Sequence, residues 1–217
     1  MKTLIRVCRL GVVVTLLAVI SACATVYKSD NFAEFQARHR TVAILPPSVS
    51  INAQSFKAGT PIETIENQQR EESMLFMRQL YAQLLARQTK LGYTVKFQDI
   101  DDTLARLERA GITQQDLKGM TRTEIAEKLG VDAVMALRVY RDKPMDTGAA
   151  IFSVLIAGGS LANEVQVNLA IYDGKSGQLV WNFDHLIGGG VVSSAEGMAR
   201  SLMKAISKKF PYNSRKS

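Results

Sequence analysis

The chain has 217 residues, with 27 Lys and Arg against 20 Asp and Glu, and two cysteines. This length suits one domain with a hydrophobic core of its own. Three of the basic residues lie in the first ten positions, so the excess positive charge belongs partly to the N-terminus and does not indicate nucleic-acid binding.

The first 22 residues have the organisation of a secretory signal. Three basic residues precede an apolar stretch from Gly11 to Ile20, and the small residues Ser21 and Ala22 close it. The apolar stretch is too short to span a bilayer as a helix. The sequence Ile20-Ser21-Ala22-Cys23 resembles the lipobox of bacterial lipoproteins, and the alternative is an ordinary thiol beside a conventional cleavage site.

The resemblance to the lipobox implies that Cys23 carries a covalent diacylglyceryl group and an N-acyl chain, which anchor the protein in a membrane. It also implies that the signal is removed together with Cys8, which leaves no pair of cysteines for a disulfide or a metal site. Asp after the lipidated cysteine commonly retains such proteins in the inner membrane. Ala24 therefore favours the cell outer membrane, with the domain facing the periplasm. No cofactor besides the lipid is expected.

The remaining chain divides into three parts. Residues 23–40 are polar and mixed, which predicts a lipidated tether. An extended tether of this length would reach roughly 50 to 60 Å at about 3.3 Å per residue. A periplasmic α/β domain is predicted over residues 41–212, and a basic tail over residues 213–217.

The first half of the domain predicts alternating strands and helices. The short apolar run Thr41–Leu45 is typical of a strand buried on both faces. Apolar residues then recur with helical spacing from Met74 to Leu91. Residues 93–97 alternate as a second strand, and Asp101 can cap the helix that follows.

The second half predicts a further helix, three strands and a last helix. A capping box at residues 121–124 opens the helix, and a strand follows over residues 133–140. Residues 164–186 alternate around the turn Asp173-Gly174-Lys175-Ser176-Gly177, which predicts a β-hairpin. A capping box at residues 193–196 opens the last helix. The predicted fold is α/β (α+β), a mixed sheet of about five strands with helices packed on it, in the order β-α-β-α-α-β-β-β-α.

Several segments together resemble a broad group of envelope lipoproteins. They are the lipobox, Val42-Ala43-Ile44-Leu45-Pro46, Lys128-Leu129-Gly130-Val131-Asp132-Ala133-Val134, and Ile171-Tyr172-Asp173-Gly174-Lys175-Ser176-Gly177-Gln178-Leu179-Val180-Trp181. The group includes the curli-secretion channel lipoprotein and the lipoprotein activators of penicillin-binding proteins, and its domain is similar to the amino-terminal domain of the TolB translocation protein. The resemblance implies a compact α/β domain over most of residues 41–210.

The residues indicate no catalytic or metal site. His39 and His185 are the only histidines, and no carboxylate motif accompanies either one, which favours solvated or capping roles. Gly174-Lys175-Ser176 is similar to the end of a phosphate-binding loop. That loop needs another glycine five positions earlier, where this chain has Leu169, so a hairpin turn is favoured. We therefore predict that the protein is not an enzyme.

Two segments are candidates for a binding function. The first is an uncharged apolar stretch before the hairpin, which is open to three interpretations: a buried strand or connector, a self-association surface, or a membrane-contacting hairpin. Its large apolar residues are Ile151, Phe152, Val154, Leu155 and Ile156. The second is the run Gly188, Gly189 and Gly190, which is favoured as a flexible joint and would otherwise let a partner approach closely.

These observations predict a lipoprotein of the outer membrane whose periplasmic domain binds protein partners in envelope assembly or secretion. Its contacts would be the membrane, through the lipid anchor, and other envelope proteins, with a homo-oligomer as one form. The alternatives are a regulator of peptidoglycan synthesis that contacts a synthase, and a small-ligand receptor or hydrolase.

Overall fold

The computed structural model describes residues 25–142, 165–187, 194–206 and 209–214. The strands in these ranges are β1 (Thr25–Lys28), β2 (Thr41–Ile44), β3 (Ser48–Ile51), β4 (Lys96–Phe97), β5 (Ala133–Arg141), β6 (Val165–Asp173) and β7 (Leu179–Ile187). The α-helices are α1 (Phe32–Arg38), α2 (Ile62–Leu91), α3 (Ile100–Arg109), α4 (Arg122–Leu129) and α5 (Ala195–Ile206). None of these helices is long and apolar enough to cross a membrane.

The seven strands form one mixed sheet in the order β1-β7-β6-β5-β2-β4, with β3 also paired to β5. β5, β6 and β7 are antiparallel neighbours, and β1 extends their edge antiparallel to β7. β2 and β3 both run parallel to β5, and β4 runs parallel to β2. Helix α2 lies in the connection from β3 to β4, and α3 and α4 lie in the connection from β4 to β5, because parallel neighbouring strands need a long crossover. A short turn connects the antiparallel strands β6 and β7.

One face of the sheet carries the main core. β5 buries alternate residues toward it, among them Met135, Leu137 and Val139, as expected from the two-residue period of a strand. Residues of α1, α2 and α5 pack on this face. The rings of Trp181 and Phe183 on β7 stack in the same core, with 6.0 Å between their centroids.

The opposite face carries a second, smaller core at one end. Ile125 and Leu129 of α4 and Leu107 of α3 pack there against Ala43 of β2 and Val134 of β5. At the other end of this face, no helix among the described residues covers the sheet. The two faces are therefore buried unequally.

The uncovered end of the second face is formed by β1, β5, β6 and β7. Tyr140 is exposed on β5, whereas its sequence neighbour Val139 is buried on the other side. We call this surface the open face. Its residues are Tyr27, Tyr140, Gln166, Asn168, Asn182, Asp184 and Leu186.

The predicted α/β fold class is confirmed, as a mixed sheet with helices packed on it. The hairpin turns where the sequence predicted, and the capping box of Thr121 and Glu124 opens α4. α5 buries Met198, Leu202 and Ile206, as its helical spacing predicted. The sheet has seven strands, against about five predicted, because β1 and β3 come from segments assigned to a tether and a loop.

Residues 25–40, predicted as part of a tether, are folded into the domain. β1 pairs with β7, and α1 buries Phe32 and Phe35 in the main core, because both rings lie on one side of the helix. The other end of the domain also differs from the prediction. Asn213, assigned to the basic tail, is buried and bridges to Tyr93, whereas residues 215–217 lie outside the described ranges.

The hairpin turn packs so closely on α4 that it requires glycine. A Cβ atom at Gly174 would lie 2.7 Å from the Cβ of Ala126 and 2.8 Å from the carbonyl oxygen of Asp132. We expect Gly174→Ala to lower the free energy of unfolding by about 1–3 kcal/mol, measured by urea denaturation, because the backbone must move to admit the methyl group.

Gly119→Ala is the matched control for this substitution. A Cβ atom at Gly119 would meet its nearest neighbour, the carbonyl oxygen of Asp116, at 3.7 Å, an ordinary contact distance. We expect a change below about 0.5 kcal/mol. Equal decreases in the free energy of unfolding of Gly174→Ala and Gly119→Ala would contradict the close packing of the turn against α4.

Candidate functional site

The site residues predicted from the sequence lie outside the described residues. They are Cys23, the apolar residues from Ile151 to Ile156, and the run Gly188 to Gly190. Their roles stay predictions. Two polar clusters within the described residues are candidates of a different kind: a buried cluster around Asp173, and the open face.

A buried histidine joins three distant parts of the chain. His39 follows α1, Asp173 ends β6, and Tyr212 lies near the C-terminus, and all three are buried. Nε2 of His39 lies 2.9 Å from Oδ1 of Asp173, and Nδ1 of His39 lies 2.7 Å from Oη of Tyr212. Of the two predicted roles, the solvated one is therefore wrong for His39, whereas the capping one agrees with its position at the C-cap of α1, where its backbone N–H donates to the carbonyl oxygen of Phe35.

Asp173 accepts hydrogen bonds on both carboxylate oxygens. Oδ1 also lies 2.7 Å from Nη2 of Arg38, and Oδ2 accepts from the amide and the hydroxyl of Ser176 at 2.7 and 2.6 Å. Burial by itself raises the pKa of Asp173. The hydrogen bonds from Ser176, His39 and Arg38 together outweigh burial and hold this pKa below its usual range. Asp173 is therefore ionised at neutral pH.

The tyrosine of this cluster keeps its proton. Burial, followed by the negative charges of Asp173 and Asp132, raises the pKa of Tyr212 far above the neutral range. The Tyr212 hydroxyl can then donate to Nδ1 of His39 while the Nε2–H group of His39 donates to Asp173. In this arrangement both ring nitrogens of His39 have a hydrogen-bond partner.

The cluster has the residue types of a hydrolytic triad without its connectivity. In such a triad the carboxylate orients the histidine, and the histidine contacts the nucleophile. Here His39 and Ser176 both contact Asp173, and the second ring nitrogen of His39 faces the buried Tyr212. The geometry holds chain segments together and activates no nucleophile.

The second histidine, His185, lies on β7 beside Phe183, with 5.6 Å between the ring centroids. Burial, and after it the charge of Lys209, lowers the pKa of His185. Its Nδ1 atom has no hydrogen-bond partner within the part of the chain that the structure describes. In that same part, no three His, Cys, Asp or Glu side chains are placed to hold a metal ion.

Side-chain hydrogen bonds order the centre of the open face. Nδ2 of Asn168 lies 2.8 Å from Oδ1 of Asn182 and 2.6 Å from Oδ1 of Asp184. Nδ2 of Asn182 lies 2.6 Å from Oδ2 of Asp184. Because these bonds restrict the side chains before any partner arrives, less conformational entropy is lost on binding.

Large side chains project from the same face. The exposed fractions of Tyr27, Tyr140 and Leu186 are 46, 47 and 47%. Tyrosine is enriched in protein interfaces, where a few large side chains contribute most of the binding energy. The open face is therefore a candidate surface for binding another protein.

Neither cluster is predicted by the sequence, for different reasons. Phe32, Phe35 and His39 recur at spacings of three and four residues, which is a helical signal. The partners of His39 carry no such signal, because 134 and 173 positions separate them from it. Polar positions on the open face alternate with apolar ones as in any strand with a solvated side.

No protein-family model and no curated protein sequence matches the chain. Solved structures show partial similarity. The lipoprotein GNA1162 from Neisseria meningitidis is 16% identical, with a TM-score of 0.43 over 78% of this chain and 94% of that chain. The PelC dodecamer from Paraburkholderia phytofirmans is 16% identical, with a TM-score of 0.41 over 88% and 96%. The LpoB C-terminal domain from Salmonella enterica is 14% identical, with a TM-score of 0.33 over 70% and 84%. At these TM-scores the likenesses assign neither a family nor a function.

Asp173→Asn is expected to lower the free energy of unfolding at neutral pH by about 3 kcal/mol, because Arg38 and His39 lose their anionic acceptor. The pKa of Asp173 is lower in the folded protein than in the unfolded chain. Its contribution is therefore present above about pH 4 and is lost as the pH falls through the folded-state value. Urea denaturation at several pH values should show that the difference in the free energy of unfolding between the wild-type protein and Asp173→Asn becomes smaller as the pH falls below about 4.

Asp102→Asn is the matched control for this substitution. Asp102 pairs with Arg106 at 2.9 Å, and both side chains are 41% exposed. An exposed pair of this kind contributes less than about 1 kcal/mol. If both variants lost similar free energies of unfolding, or if the difference between Asp173→Asn and the wild type grew in acid, the buried carboxylate would not stabilise the domain.

Proposed function

We propose that this chain is a lipid-anchored protein of the cell envelope whose domain binds a protein partner at the membrane surface through the open face. The main support for this proposal is the open face. It combines exposed tyrosines with an ordered amide network on a sheet whose other face is buried. The anchor rests on the lipobox-like segment that ends at Cys23. The partner belongs to envelope assembly or secretion, and a cell-wall synthase is the alternative.

The short chain between the anchor and the domain limits where a partner can lie. Cys23 precedes Thr25, the first residue of β1, by two positions, which span about 7 Å when extended. A lipid on Cys23 would hold the β1 edge of the sheet against the membrane. The partner must then reach the domain close to that membrane.

The shape of the open face suits a protein more than a small molecule. Tyr140 and Leu186 flank Gln166 in one row across β5, β6 and β7. Tyr27 lies two rows away, beyond Asn168 and Asp184, so the large side chains are spread over a broad surface. Small ligands bind mostly in enclosed, largely apolar pockets. A broad surface with large side chains and polar groups between them is the usual composition of a protein interface.

A second copy of this chain is the alternative occupant. All four residues of β1 are exposed, and β1 is the last strand at its end of the sheet. Edge strands offer unpaired backbone groups on which another strand can pair. Self-association through this edge would place two open faces side by side.

Cys23→Ser is expected to abolish incorporation of a labelled fatty acid, because serine lacks the thiol that receives the lipid. Metabolic labelling with an alkyne fatty acid and the intact mass of the purified protein measure the change. Cys8→Ser, inside the predicted signal, is the matched control and should leave labelling intact. Label retained in Cys23→Ser would contradict the anchor.

A photo-crosslinking amino acid at Tyr140 or Leu186 is expected to give one discrete product of higher mass in intact cells. Leu75, which is 52% exposed on α2 beyond the opposite face of the sheet, is the matched control and should give none. Tyr140→Ala should reduce the product from Leu186 about tenfold, because truncating a central interface aromatic typically costs over about 1 kcal/mol.

Mass spectrometry of the product distinguishes the occupants. A product of twice the chain's mass would assign the open face to self-association, and a product with another protein would name the partner. Equal products from Leu75 and Tyr140, or no product from either position on the open face, would contradict partner binding there.

A further inference from the structure

Three adjoining hollows form a groove beside the open face. Their volumes are about 500, 150 and 270 Å³, and Ser48 at the start of β3 lines all three. The groove passes between α2 and the loop before α4, and then reaches the end of β5. An extended hollow of this kind suits a segment of a chain more than a compact molecule.

The groove is basic. Arg70, Lys118, Arg122 and Arg138 line it, and Glu66 is the one acidic side chain among its lining residues. We call this surface the basic groove. The hollow of about 150 Å³, in the middle of the groove, is lined by Lys118, Arg122 and Arg138 and by no carboxylate. Within the described ranges, the ion pairs form elsewhere and involve none of these four side chains.

Local contacts hold several groups of the basic groove in place. Arg138 lies opposite Ser48 in the register of β5 and β3. The guanidinium of Arg122 lies over the ring of Tyr172, at 5.2 Å from its centroid. Nε2 of Gln114 donates to the carbonyl oxygen of Pro47 at 2.8 Å. The cationic and amide groups are therefore partly ordered before a ligand binds.

The chemistry of the lining indicates the ligand. Guanidinium groups pair with carboxylates and phosphates through two parallel hydrogen bonds. Amide and hydroxyl side chains, among them Gln69, Gln114 and Ser48, can pair with neutral hydroxyl groups between the charges. An acidic peptide could pair with these groups only through its backbone, because its side chains carry carboxylates and no hydroxyl groups. A sugar chain offers both hydroxyl groups and acidic groups.

We propose that the basic groove binds an anionic glycan chain, with Lys118, Arg122 and Arg138 pairing with its acidic groups. The ring of Tyr140, which lines the last hollow and is 47% exposed, provides a flat apolar surface for a sugar ring where the groove meets the open face. The last hollow shares Tyr140, Gln166 and Asn168 with the open face, whereas Leu186 and Tyr27 do not line the groove. The protein would then contact both a protein partner and an acidic sugar polymer.

Calorimetry on the full mature protein in non-ionic detergent tests the proposal. The probes are hexagalacturonate, the neutral sugar maltohexaose, and hexaglutamate, which carries the same charge on a peptide. Hexagalacturonate is expected to bind at least about tenfold more tightly than either of the others, because only it offers both acidic and hydroxyl groups. Its affinity should fall as salt is raised, since the site is open to solvent.

Substitutions then locate the site. Lys118→Gln with Arg138→Gln should lower the affinity for hexagalacturonate at least about tenfold, because two charge-assisted contacts are lost. Lys90→Gln with Lys96→Gln is the matched control, since it removes the same charge from exposed positions at the end of α2 and on β4. An unchanged thermal midpoint in both double variants verifies that they fold.

Three results would overturn the proposal: no binding of hexagalacturonate at low salt, equal binding of hexaglutamate, or equal losses in the groove and control variants. Equal binding of hexaglutamate would assign the basic groove to an acidic peptide. The crosslinked product from Leu186 should persist in the groove variant, so failure of this site and failure of the open face can be told apart.

Discussion

The ionised side chain of Asp173 is the constraint that organises the ends of this domain. A carboxylate buried in a protein is stable only when opposite charges and hydrogen-bond donors replace the water it has lost. Arg38 and His39 supply donors from the end of α1, and Ser176 supplies two from the hairpin turn. The N-terminal helix must therefore lie over the sheet.

The same constraint reaches the C-terminus through His39. Nε2 of His39 faces Asp173, and Nδ1 of the same buried ring lies 2.7 Å from the hydroxyl oxygen of Tyr212, so both ring nitrogens have a partner. Tyr212 also packs against Phe32 and Phe210, so the polar cluster and the main core support each other. One carboxylate thus connects α1, the hairpin and the last residues of the domain, and positions β1 at the edge where the chain leaves toward Cys23.

The open face and the basic groove both follow from helix length. α2 has 30 residues and runs about 45 Å at about 1.5 Å per residue, so it crosses the whole sheet on the main-core side. α4 has eight residues, and its length of about 12 Å covers less than half of β5, whose nine residues extend about 30 Å. The far end of β5 is left to polar side chains, and the loop before α4, together with Arg122 at the start of α4, forms one wall of the groove.

The sequence by itself determined the elements whose signals are local. The turn residues of the hairpin, the capping box before α4 and the apolar spacing of α2 and α5 each involve residues close together in the chain, so they predicted the α/β fold class. Tertiary structure decided the rest. β1 and β3 have four residues each and form because a neighbouring strand pairs with them, and the His39 cluster forms because residues 134 positions apart meet around one buried charge. Contacts between distant residues depend on the assembled sheet, and no local pattern in the chain encodes them.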